Sequence, residues 1–198
     1  MIERDDGQTR LMVAIAGPPG AGKSTVADAL AIALNNRLAD HPAEVVPMDG
    51  FHYDNAILDA RGLIDRKGAP ETFDADGFLA LVRRLRTEKG DIATPVFDRS
   101  IDLARGSARI VRHQQRLLIV EGNYLLLRRP VWQELPAFFD LTVFLKPSIE
   151  TIEARLIQRW LDHGLDADAA ARRARGNDLA NAQTVLTESG SAHITLQG

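Results

Sequence analysis

The chain has 198 residues, 45% of them hydrophobic, with 24 Lys and Arg against 27 Asp and Glu, giving a net charge of −3. That length and apolar content suit one domain with a sizeable core, spanning residues 1–198. The lack of cysteine excludes disulfides and thiolate metal sites, and the charge balance argues against a nucleic-acid partner. No apolar run approaches a membrane span, and the opening MIERDDGQTR has no apolar secretory core. A cytoplasmic enzyme acting on a small molecule is the expectation, with no membrane partner and with homo-oligomer formation left open.

In chain order, LMVAIA (Leu11–Ala16) is a short apolar run that reads as a buried strand. It leads directly into Gly17-Pro18-Pro19-Gly20-Ala21-Gly22-Lys23-Ser24-Thr25, which fits the phosphate-binding pattern G-x-x-x-x-G-K-[ST]. Glycines let the backbone wrap a polyphosphate and aim its N–H groups inward. Lys23 adds a charge at the β- and γ-phosphates, and the Ser24 hydroxyl suits Mg²⁺. Val26, Leu30, Ala33, Leu34 and Leu38 then recur at helical spacing. A helix starting here points its positive end at the same phosphates. Strand, glycine loop and helix together predict nucleoside triphosphate binding.

Further Val, Ile and Leu runs at residues 44–48, 117–120, 141–145 and 193–196 predict four more parallel strands, alternating with helices in an α/β chain covered on both faces. Residues 49–116 form a long insertion between the second and third of the five strands. Within it, Phe78, Leu81, Val82 and Leu85 make a helical stripe capped by Asp74. Residues 101–110 read as a small hairpin, with Arg105-Gly106 between its arms. Residues 148–186 read as two or three helices, with Gly164 and Gly176 as breaks and Asp166 as a cap.

Two carboxylates close apolar strands: Glu121 in LLIVEG and Asp49 in EVVPMDG. In an open parallel sheet, ligands bind at the carboxyl ends of the strands, so both should converge on Lys23. Taken singly, each could equally cap a helix or face water. Glu121 stands where a nucleoside triphosphatase places the carboxylate that holds Mg²⁺. Remodelling ATPases set two acids in succession there, whereas here Gly122 and Asn123 follow. Asp49, from another strand, suits proton removal from a bound hydroxyl. Arg155 and Arg159 share a helix face, with Arg172, Arg173 and Arg175 beyond. They read either as a solvated surface with Asp162, Asp166 and Asp168, or as a lid, residues 148–176, closing over ATP.

Together these residues resemble the family of uridine kinase, phosphoribulokinase and bacterial type I pantothenate kinase. GPPGAGKST looks like its phosphate loop, MDGFH like the motif whose Asp acts on the acceptor hydroxyl, and LLIVEGNYLL like its metal-side strand. RKGAPETFD is similar to a segment of pantothenate kinases. PVFDRSID takes the place of a substrate-contacting Pro-x-Tyr-Asp motif, with Phe97 standing for the Tyr. The nearest likeness is to small bacterial members named fructose transport system kinase. The resemblance implies a P-loop NTPase three-layer α/β/α fold with a five-stranded parallel sheet in the order 2-3-1-4-5 and a helical lid. It also implies an ATP- and Mg²⁺-dependent kinase of a small hydroxylated metabolite, a sugar first, with a nucleoside or pantothenate-like compound as alternatives.

On that reading Asp49, Lys23, Arg155 and Arg159 are catalytic, and Ser24 and Glu121 hold the metal. His52, Tyr53, Phe97, Arg99 and Tyr124 join Asp49 in the acceptor pocket, with core packing the other reading for the aromatics and for Phe51. Trp132 and Trp160 read as core. Asn177 and Asp178 either cap a helix or lie near the adenine. A nucleotide-dependent switch is the rival class. No Asn-Lys-x-Asp or Leu-Ser-Gly-Gly-Gln motif occurs, and the Asp-x-x-Gly matches at Asp59 and Asp74 do not directly follow a buried strand.

Overall fold

The five apolar runs become one parallel sheet in a computed structural model that describes residues 9–197. The polar opening segment, residues 1–8, and Gly198 lie outside the described residues. The strands are β1 (Leu11–Ala16), β2 (Ala43–Pro47), β5 (Leu117–Gly122), β6 (Leu141–Lys146) and β7 (Ile194–Gln197), ordered β2-β5-β1-β6-β7. Numbered within this sheet alone, that order is 2-3-1-4-5. The hairpin strands β3 (Ile92–Asp98) and β4 (Leu103–Val111) form a separate antiparallel pair, and a short helix, α2 (Asn55–Ala60), precedes them in the insertion.

Alternation along β1 divides the core between the two faces of the sheet. Met12, Ala14 and Ala16 pack with Val46, Met48, Leu118 and Val120 against α3 (Ala75–Thr87), Tyr124 and Trp132. Val13 and Ile15 pack with Val45, Leu117 and Ile119 under α1 (Lys23–Arg37). Helix α1 covers the sheet with Ala27, Leu30 and Leu34, and Leu38 just beyond its end joins them, while Val26 and Ala33, counted in the expected stripe, face solvent. In α3 the expected stripe is buried, and Asp74 caps it by accepting from the Gly77 N–H at 2.9 Å.

The hairpin turns elsewhere than expected. Its tip is residues 99–102, where Asp98 Oδ1 accepts from the Ser100 N–H and hydroxyl at 3.1 and 2.6 Å. Arg105 and Gly106 lie within β4. Thr94 faces Arg109 but Val96 faces Arg105, so residues 106–108 bulge, with Ser107 at φ 53°. A bulge draws on the same residue preferences as a turn, which is why Arg105-Gly106 misled. The hairpin rests on the short turn Met48–Phe51, where a Cβ on Gly50 would lie 2.6 Å from the Pro95 carbonyl oxygen.

Helices α4 (Ile149–Asp162), α5 (Ala167–Arg173) and α6 (Leu179–Glu188) form the last helical layer. Gly164 lies in the break after α4, and Asp166 caps α5 through the Ala169 N–H at 2.8 Å. Gly176 is the second break: its ψ of −108° is not helical, and the chain kinks there between α5 and α6.

Candidate active site

Parallel register brings the strand ends to one edge. Glu121 lies level with Pro47 of β2 and Ile15 of β1, so Glu121, the turn holding Asp49 and the loop after β1 meet there. A cavity of about 500 Å³ opens at that edge. Its floor is the phosphate loop, and its walls come from the Asp49 turn, residues 67–68, the hairpin tip and the helices from α4 to α6.

The loop's shape needs its glycines. A Cβ on Gly17 would sit 2.7 Å from the Leu145 carbonyl oxygen, and Gly22, at φ 86°, turns the chain left-handed into α1. Lys23 is 8% exposed, and its Nζ donates to the Pro18 carbonyl at 2.9 Å. Burial lowers its pKa, against the pull of Glu121 and Asp49. The Ser24 hydroxyl donates to Glu121 Oε1 at 3.3 Å. Burial first, and then the charge of Asp49, push the Glu121 carboxyl up to about 7. Among the described residues no group of three or more His, Asp or Glu could hold a metal. Ser24 and Glu121 offer two hard oxygens beside the phosphate loop, a set that suits Mg²⁺, which takes its other ligands from phosphates and water.

Asp49 follows β2, and its Oδ2 accepts from Arg99 Nη2 of the hairpin tip at 2.8 Å. His52 Nδ1 donates to the Asp49 carbonyl at 2.8 Å, and its ring lies 4.0 Å from Phe73 and 4.7 Å from Phe97. Burial lowers the His52 pKa, against the pull of Asp49. Asp49, Lys23, Ser24, Glu121, His52, Phe97, Arg99 and Arg159 all line the cavity.

Other expected residues do not reach it. Tyr124 is buried in the core between Phe73 and Trp132, and its hydroxyl donates to the Gly68 carbonyl at 2.6 Å. Tyr53 lies outside the cavity wall under the Arg61 guanidinium, 4.5 Å away. Phe51 packs edge-on against Phe78. Arg155 donates to the Gly20 and Ala21 carbonyls at 3.3 and 3.5 Å, so it braces the back of the loop. Helical spacing put Arg155 and Arg159 on one face correctly. The first turns of α4 lie against Gly20, however, so only the later arginine reaches the cavity. Arg175 pairs with Glu153 at 2.6 Å, and Arg172 is exposed.

Asn177 and Asp178, read as a helix cap or as neighbours of the adenine, line the wall, and other wall residues escaped the sequence reading or were read otherwise. Trp160, read as core, lines the cavity with the Arg159 and Arg173 guanidinium groups 5.2 and 5.1 Å from its ring. Its Nε1 donates at 2.6 Å to Asp178 Oδ2, which also accepts from Arg159 at 2.8 Å. Asp178 therefore organises this cluster rather than capping α6. Lys67 donates to Asn55 Oδ1 at 2.6 Å and to Asp102 Oδ2 at 2.8 Å, and stands 5.1 Å from the Phe97 ring. Asn123, Asn177 and Asn181 add three amides to the wall. Lys67 lay within RKGAPETFD, the one signal that could have found it.

Residues 12–177 match a family model described as the phosphoribulokinase / uridine kinase family. A protein of Schizosaccharomyces pombe, provisionally named a uridine kinase, is 37% identical over 96% of this chain and 84% of its own length. Pantothenate kinase of Rhodococcus opacus is 35% identical over 79% of this chain but only 50% of its own length. The crystal structure of a protein from Silicibacter sp. TM1040, provisionally named a fructose transport system kinase, is 48% identical and superposes with a TM-score of 0.92. That match covers 98% of this chain and 94% of the other.

Proposed function

Because the chain belongs to the phosphoribulokinase / uridine kinase family, phosphotransferases acting on hydroxyl groups, we propose that this cavity binds Mg·ATP and phosphorylates a sugar. The observation that carries the reading is the split between the two carboxylates. Glu121, at the end of β5, sits beside Ser24 of the phosphate loop, whereas Asp49 comes from the turn after β2 and faces the hairpin through Arg99. A metal-side acid and an acceptor-side acid on different strands suit transfer to a hydroxyl better than hydrolysis.

In this reading Gly17–Thr25 backbone N–H groups hold the phosphates, and Lys23 stabilises charge on the migrating group. Ser24 and Glu121 would hold Mg²⁺, which supplies charge neutralisation at the phosphates. Asp49 takes the proton from the acceptor hydroxyl as its oxygen bonds to the γ-phosphorus. The bond from that phosphorus to the β-phosphate oxygen breaks, and ADP departs. Helices α4 to α6 act as the lid, with Arg159 and Arg173 as the arginines that meet phosphate oxygens. The sugar assignment draws on the polar wall beyond Asp49 and on the name carried by the Silicibacter relative. A screen of ATP consumption against sugars, nucleosides and pantothenate, with mass detection of product, tests it. A phosphorylated sugar is expected. Exclusive turnover of uridine or pantothenate would replace the sugar, and hydrolysis that no acceptor accelerates would favour a regulatory ATPase.

A further inference from the structure

Asn177 directly follows the kink at Gly176 and Asn181 lies four residues later in α6, and both line the cavity. Asn177 Nδ2 donates to the Lys67 carbonyl at 2.7 Å. That bond fixes which end of the amide is oxygen, and leaves Oδ1 buried without a hydrogen-bond partner. Asn181 is 2% exposed, and its side chain makes no hydrogen bond among the described residues. Its Nδ2 lies 3.6 Å from the place a Cβ would take on Gly68, so Asn181 stands beside the same 67–68 segment as Asn177. Buried amides are normally satisfied, and two neighbours that are not call for a ligand group to complete them.

Contacts place these amides on the acceptor side of the cavity. Asn177 holds Lys67, Lys67 stands over Phe97, Phe97 packs on His52, and His52 is bonded to Asp49. The cations there are already engaged, Lys67 by Asp102 and Arg99 by Asp49. What remains open is uncharged: amide oxygens that accept and amide nitrogens that donate. A hydroxyl does both, and a carboxylate or phosphate only accepts. We propose that Asn177 and Asn181 form a specificity subsite that reads hydroxyl groups of a neutral, polyhydroxylated acceptor. The inference rests on the phosphotransferase reading of the cavity and adds to it the residues that select the acceptor.

The test compares D-fructose, D-ribose and D-mannitol with the carboxylates pantothenate and gluconate, and then uses monodeoxy derivatives of the best polyol. With wild-type protein, the polyol is expected to be phosphorylated and the carboxylates to be poor. Asn177→Ala should raise the polyol KM about 10-fold, the worth of one hydrogen bond, while the ATP KM shifts less than about 2-fold. One monodeoxy derivative should show the same loss on wild-type protein, and no further loss on Asn177→Ala. That comparison needs no folded Asn181 variant. A rise in the ATP KM with the polyol KM unchanged would place the amides at the adenine and overturn the proposal. So would transfer to carboxylates alone, which leaves the kinase reading standing. Hydrolysis indifferent to every acceptor would overturn the kinase reading, and the subsite with it.

Discussion

The two ends of the cavity are built on different plans. The phosphate end is nine consecutive residues, Gly17–Thr25, fixed by backbone dihedrals and by a close approach to Leu145. The proposed acceptor end gathers Asp49, His52, Lys67, Phe97, Arg99, Asp102 and two asparagines from four separate stretches of chain, joined by ion pairs and stacked rings. A backbone-built site tolerates few changes and serves one ligand class. A side-chain-built site can be retuned one residue at a time while the chemistry at the other end stays fixed.

The largest effect should come from the phosphate end. Lys23→Ala should lower turnover by roughly 10³-fold or more, with a much smaller change in ATP affinity and an unchanged circular dichroism spectrum. Near-normal turnover would remove the basis for the comparison. Next come the two acids. Asp49→Asn should lose about 10²- to 10⁴-fold in transfer while keeping Mg·ATP binding. Glu121→Gln should instead shift the magnesium titration, and the opposite pattern would exchange their roles.

Arg99→Met probes the acceptor end alone. It frees Asp49 from its ion pair and removes a polar wall group. We expect acceptor KM to rise about 10-fold, with acceptor-independent ATP hydrolysis rising as the carboxylate turns to water. An unchanged acceptor KM would make Arg99 surface charge.

The phosphate end also carries a stability cost that grows as pH rises. The folded pKa of Glu121, about 7, exceeds its ordinary value of 4.5, so the folded protein holds the extra proton between these values. Stability from this group is full below about pH 4.5 and falls as pH rises through 7, by up to about 3 kcal/mol. In metal-free thermal unfolding, Glu121→Gln should match wild type at pH 5 and exceed it at pH 8, and Mg·ATP should narrow the gap. The smallest effect belongs to Tyr124→Phe, which removes a hydrogen bond to Gly68 in the core. It should lower unfolding stability by about 1 kcal/mol with no loss of turnover.

The difference in plan explains what could be read from the sequence. The strands, the phosphate loop and the strand-end acids follow from local pattern, because apolar runs, glycines and a terminal carboxylate each act through near neighbours. Tyr124, two residues after a strand, has the same local setting as a pocket residue, and only tertiary packing against Trp132 sends it inward. Trp160 does both things at once. It packs against the Ile152 and Leu156 cluster as its helical position predicts, and Asp178 draws its N–H to the cavity wall. The pairing of Lys67 with Asp102 spans 35 residues and leaves no periodic trace.

The contact between Gly50 and Pro95 sets a rule for transplanting specificity among relatives. With 2.6 Å between a Cβ at position 50 and the Pro95 oxygen, the backbone seats the hairpin near its base, while the pairs of Arg99 with Asp49 and of Asp102 with Lys67 hold its tip. A tip exchanged at residues 99–102 must therefore keep those two pairs, and Gly50 and Pro95 must travel with the scaffold. A graft that breaks that seat would move every acceptor contact of the hairpin at once, however well its tip sequence was chosen.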